Sequence, residues 1–103
     1  MTQQTQGRIT ITEQSVPGLP AGVKLRFDKQ RDQWVILAPE RLFVLDAIAL
    51  EIVKRCDGEA SVGAIVDDLA AAYSAPRETI LKDVGALLQD LADKRILATR
   101  GAG

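Results

Sequence analysis

The chain has 103 residues, 47% hydrophobic and 26% charged, with 13 basic against 14 acidic side chains and a pI near 5.3. That is the make-up of one globular domain with a single core, and the even charge excludes a protein built to coat nucleic acid or anionic lipid. There is no histidine and one cysteine, Cys56, so the commonest general base and metal ligand is missing and neither a disulfide nor a cysteine-based zinc site can form within the chain.

Met1 to Gly7 is polar and lacks the apolar stretch of a signal peptide, and no run reaches the ~20 apolar residues of a membrane span. With a lone thiol, this fits a cytoplasmic protein. Residues 1–15 are rich in Thr and Gln. Ile9-Thr10-Ile11-Thr12 alternates like a strand but stands alone, so 1–15 reads as a flexible tail. The domain then covers residues 16–99, and 100–103 form a second flexible tail.

Pro17 to Gly22 is turn-dense and leads into the domain. Val23 to Phe27 alternates apolar with basic residues, as in a strand with one buried face. A polar loop, Asp28 to Gln33, turns the chain back. Trp34 to Ala38 is apolar throughout, the pattern of a strand covered on both faces. Pro39-Glu40 makes the next turn, and Arg41 to Leu45 forms a third strand with no further strand directly after it.

The period becomes helical at Asp46, a plausible N-cap. Ile48, Ala49, Ile52, Val53 and Cys56 share one face, and Gly58 stops the first helix. Ser61 caps the second, whose apolar stripe is Val62, Ile65, Val66, Leu69 and Tyr73. Pro76 suits the first turn of the third, where Ile80, Val84, Leu87, Leu88 and Leu91 recur at helical spacing. Ile96-Leu97 adds a short closing segment. The expected fold class is α+β and winged-helix-like, an N-terminal three-stranded antiparallel sheet followed by three helices.

Catalysis finds little support. Cys56 falls near a helix C-terminus, where the dipole disfavours a thiolate, and reads as a small core residue. Asp57, Asp67 and Asp68, or Asp83 with Asp90, are carboxylates without a cluster to stabilise developing charge, and they read as solvated faces. No enzyme activity, cofactor or metal is expected. A winged-helix DNA-binding protein is the alternative. Against it, Arg77, Lys82, Lys94 and Arg95 in the third helix are offset by Glu78, Asp83, Asp90 and Asp93, leaving no basic stripe for phosphates.

The third strand carries the stronger signal. An edge strand exposes unpaired N–H and C=O groups, which a peptide can use as an added strand. Alternation puts Phe43 and Leu45 on one face and Leu42 and Val44 on the other, where they form exposed apolar surface if helices cover only one side. Gly85, inside the third helix, costs ~1 kcal/mol relative to Ala unless a guest or another helix packs close to it.

Leu19-Pro20-Ala21-Gly22-Val23-Lys24-Leu25, Trp34-Val35-Ile36-Leu37-Ala38-Pro39-Glu40, Cys56-Asp57-Gly58, and Asp83-Val84 with Leu87, Leu88 and Leu91 resemble the PqqD family of pyrroloquinoline quinone (PQQ) biosynthesis. The resemblance spans residues 17–97. It implies a peptide chaperone and recognition element for ribosomally made, modified peptides. It further implies that the precursor peptide PqqA adds as a strand between the third strand and third helix and is presented to PqqE, a radical S-adenosylmethionine enzyme that carries its own iron–sulfur clusters. Carried onto this chain, the peptide-binding residues are Arg41, Leu42, Phe43, Val44 and Leu45 on the edge, and Ile80, Asp83, Val84 and Leu87 on the helix wall. A monomer is expected, with a domain-swapped dimer as another way to satisfy an open edge.

Overall fold

The computed structural model describes residues 9–100. In chain order the elements are β1 (Val16–Gly18), β2 (Lys24–Asp28), β3 (Gln33–Ala38), β4 (Arg41–Leu45), α1 (Ala47–Lys54), α2 (Val62–Tyr73), α3 (Arg77–Asp93) and β5 (Ala98–Arg100). The expected three-stranded sheet is β2-β3-β4, wholly antiparallel, with β4 at one margin. The third strand of the sequence reading is therefore β4.

Two elements depart from that reading. β1 and β5 form a second small sheet that joins the two ends of the domain, with Val16 opposite Arg100 and Gly18 opposite Ala98. Strands of three residues are too short to show a period, and their pairing spans the whole chain. Arg100 thus belongs to a strand; of the expected tails, residues 1–8 and 101–103 lie outside the described residues.

Contacts with the domain begin before residue 16. The Ile11 N–H donates to Oε1 of Gln89 at 2.9 Å, and Nε2 of Gln89 donates back to the Ile9 carbonyl at 2.7 Å. One amide side chain on α3 thereby imitates a rung of a β-ladder. Ser15 is fully buried. The N–H groups at the start of any helix lack intrahelical partners, and in α2 three of them are satisfied from outside the ladder. Val62 donates to the Ser15 carbonyl, Gly63 to the Glu13 carbonyl and Ala64 to Oγ of Ser61, after which Ile65 makes the first intrahelical bond, to the Ser61 carbonyl. Residues 13–15 thus share the capping of α2 with Ser61.

The other helix ends follow their sequence signals within a residue or two. Asp46 caps α1 by accepting from Ala49 N at 2.7 Å. α1 stops at Lys54, so Cys56 and Gly58 lie in the connection beyond it. Ser74 takes a left-handed conformation after α2, and Pro76 is the N-cap of α3 rather than part of its first turn.

The inner face of the sheet meets the helices. Ile36 and Leu45 join Ile52 and Val53 of α1, Val62, Ile65, Val66 and Leu69 of α2, Val84, Leu88 and Leu91 of α3, and Ile96 and Leu97 in one cluster. Each such side chain taken fully out of water contributes ~1.5–3 kcal/mol. β3 is covered on both faces only at its middle: Val35 and Ile36 are buried, while Trp34 is exposed and stacks edge-on against Phe27 at 5.6 Å. Two residues of the expected apolar stripes are also left out of the core. Ile48 is 64% and Tyr73 52% exposed.

Candidate functional site

β3 and β4 are joined by the two residues Pro39 and Glu40, with Ala38 opposite Arg41. Glu40 has φ 62°, so Pro-Glu fits a type II turn, which takes Pro second and a positive φ third. The pair closing a two-residue hairpin is hydrogen-bonded, and bonded and non-bonded pairs alternate from there. Counting along β4, Arg41, Phe43 and Leu45 bond to β3, whereas the N–H and C=O of Leu42 and Val44 point outward. Among the described residues no strand lies on that side.

The register also places the side chains. Phe43 and Leu45 share the inner face with Ile36 and Trp34, and Leu45 is buried. Leu42 and Val44 stand on the outer face, 38% and 48% exposed. The sheet's opposite margin, β2, shows Lys24 and Arg26 to solvent, and charges of this kind blunt an edge against pairing. The outer faces of the two margins thus differ in kind: Lys24 and Arg26 on β2, Leu42 and Val44 on β4.

Arg41 ties this edge to the third helix. Its Nη2 donates to the Lys94 carbonyl just beyond α3 at 2.9 Å, and its guanidinium lies 5.6 Å from the centre of the Phe43 ring, a favourable cation–π arrangement. β4 starts near the C-terminal end of α3, and Ile48, three residues past the other end of β4, lines one cavity with Ile80, Asp83 and Val84 in the N-terminal half of that helix. On that half Val84 is buried, Ile80 is half-buried and Asp83 is exposed. Leu87, one turn further along, is half-buried and packs on the core. Asp83 has no ion pair among the described residues.

The other carboxylates weighed for catalysis have structural partners. Asp67 pairs with Arg77, Asp68 with Arg55 and Asp90 with Lys94. Asp57 accepts from the N–H groups of Glu59 and Ala60, and those bonds hold its carboxyl below the usual range. The carboxylates that read as plain solvated faces are therefore mostly ion-paired or turn-forming. Burial, helped by the charge of Asp57, pushes the Cys56 thiol up to about 12, and its Sγ donates to the Ile52 carbonyl. Among the described residues no group of three or more metal-ligating side chains converges, and no helix is long and apolar enough to cross a membrane.

Gly85 does not serve the close approach of another helix: a Cβ there would meet nothing within 4 Å among the described residues. Sequence reasoning also missed Gln89, Glu13 and Arg77, because polar residues on a helix flank carry no periodic signal of what they hold.

Comparison with known proteins bears on the family and the fold. Residues 33–97 match the family model of coenzyme PQQ synthesis protein D (PqqD). A PqqA binding protein of Bradyrhizobium diazoefficiens is 56% identical over 89 residues, 86% of each chain. One of Gluconobacter oxydans is 42% identical over 95 residues, covering 92% of this chain and 99% of its own length. The solution structure of the PqqD truncation of Methylobacterium extorquens PqqCD, a stand-alone recognition element for ribosomally synthesized and post-translationally modified peptides, superposes with a TM-score of 0.74 at 42% identity. That match covers 85% of this chain and 94% of the other. The crystal structure of PqqD from Xanthomonas campestris gives 0.55 at 47% identity, covering 86% and 99%. The chain belongs to the PqqD family, a family of non-catalytic recognition elements with this α+β fold.

Proposed function

We propose that this chain is a cytoplasmic peptide chaperone of PQQ biosynthesis that binds the precursor peptide PqqA by strand addition and presents it to the radical S-adenosylmethionine enzyme PqqE. The observation that carries the reading is the pair of outward-facing rungs at Leu42 and Val44, whose side chains on the outer face are apolar. A guest strand would satisfy those backbone groups and cover the two exposed side chains beside them, gaining affinity from main-chain bonds and register from alternate side chains. Arg41 to Leu45 form the rail, and Ile80, Asp83, Val84 and Leu87 the wall of the groove. The names of the curated relatives and the recognition-element neighbour support PqqA as the guest.

The free protein is a monomer in this reading, and a swapped copy is the competitor for the same edge. Titration of ¹⁵N-labelled protein with PqqA tests it. The amides of Leu42 and Val44 should shift most and gain protection from exchange, and those of β2 should stay in place. Shifts confined to β2 or to the α2 surface would remove β4 from the model. Addition of PqqE to the binary complex should perturb further residues without releasing the peptide, and release would contradict presentation.

A further inference from the structure

Ile48 and Tyr73 are in phase with the buried stripes of α1 and α2, yet both are more than half exposed. They do not face open solvent at random. Together with Ile52, Leu69, Ile80, Asp83 and Val84 they line a cavity of about 230 Å³ where the three helices meet. An apolar cavity of ~150 Å³ stays dry and accepts a benzene ring, so this one has room for a large side chain. Asp83 is the one charged residue in its lining, and it has no ion pair among the described residues.

The cavity continues the proposed edge. Three of its lining residues, Ile80, Asp83 and Val84, are residues of the helix wall. β4 ends at Leu45, and Asp46 turns the chain into α1, so a guest strand leaving β4 at that end loses its backbone partner. Ile48, three residues past the end of β4 on the first turn of α1, is the cavity residue nearest to that end along the chain. A guest that pairs with Leu42 and Val44 thus passes the cavity mouth just as its backbone bonds run out.

We infer that the α1–α2–α3 cavity is an anchor pocket for one large apolar side chain of the guest peptide, placed beyond its strand-paired segment and next to a basic residue that meets Asp83. This rests on the strand-addition reading and adds to it a second determinant, one that selects side chains where β4 selects only an extended backbone. Such a site explains apolar stripes that run past the core: their outlying members, Ile48 and Tyr73, are covered only when a guest fills the space.

The test is calorimetric titration of the full chain with PqqA and with versions of PqqA in which each large apolar residue, aliphatic or aromatic, is replaced in turn by Ala. Wild type is compared with Ile48→Ser and Tyr73→Ala, both at exposed positions whose truncation leaves the buried cluster intact. Affinity should fall about tenfold or more in Ile48→Ser, the loss expected when a buried aliphatic side chain loses its contacts. One peptide position should reproduce that loss, and the combined change should not add to it. Full affinity in both protein variants, with the amide shifts of Leu42 and Val44 retained, would overturn the pocket and leave strand addition standing. Absence of those amide shifts in wild type would remove both. Asp83→Asn should weaken binding and flatten its salt dependence, and an unaltered salt dependence would overturn the basic neighbour.

Discussion

Gly18 and Gly58 meet backbone to backbone: a Cβ on Gly18 would lie 3.1 Å from both the N and the Cα of Gly58. Beside this contact the Gly58 N–H donates to the Pro17 carbonyl at 2.9 Å, and Gly18 bridges to Asp57. The α1–α2 connection is thereby fastened to β1, which in turn holds β5. Gly18→Ala should destabilise the protein by ~1–3 kcal/mol, because a rigid backbone must shift to admit the methyl group. Urea unfolding measures it, and a loss below a few tenths would mean the connection moves freely.

Gly85 gives the opposite expectation. It sits inside α3 with open space where a side chain would go, so Gly85→Ala should stabilise by up to ~1 kcal/mol through helix propensity alone. A raised urea midpoint with unchanged slope is the expected result. A destabilised variant would reveal a close neighbour for this position.

Val44→Pro removes one of the two outward donors on β4 and no bond to β3, since its N–H faces away from the ladder. PqqA binding should weaken strongly while the circular dichroism of the fold is kept. Leu45→Pro is the contrast: its N–H serves β3, and it should damage the sheet itself. Normal binding by a folded Val44→Pro would exclude this edge.

Arg77 binds Glu13 and Asp67 at once, linking the segment before β1 to α2 and α3. The hydrogen bond from Arg77 holds the Glu13 carboxyl below its ordinary value. A lowered carboxylate contributes stability that is present above the unfolded pKa and lost as pH falls through the folded one. Acidification below the ordinary Glu range should therefore loosen residues 9–15 before the core melts. Faster amide exchange at Ile11 and Gly63 reports it, and Arg77→Met should bring the same loosening at neutral pH. Identical exchange in that variant would show that Gln89 and the α2 capping bonds suffice.

Cys56 is buried and its thiol lies far above the usual range. Alkylation of the native protein should be slow at neutral pH and become fast only on unfolding, since the thiolate is the reacting species. The raised value favours the neutral thiol in the fold, so this contribution to stability is full below the unfolded thiol pKa and declines above it toward about 12. Rapid native labelling would place the thiol at the surface.

Residue types and their spacing were enough to determine the three-stranded sheet, the three helices, the N-caps of α1 and α2, and β4 as an edge. Those features rest on local rules: alternation for strands, a 3.6-residue period for helices, Asp46 and Ser61 where orphan N–H groups need an acceptor. Tertiary structure alone decided the rest. Pairing of β1 with β5, the Gln89 clamp on Ile9 and Ile11, and the shared capping of α2 all join residues distant in sequence, and no local pattern encodes such a meeting. The same holds for Ile48 and Tyr73, whose period says apolar face but cannot say what covers it. Coverage depends on how three helices pack, and here they leave a space.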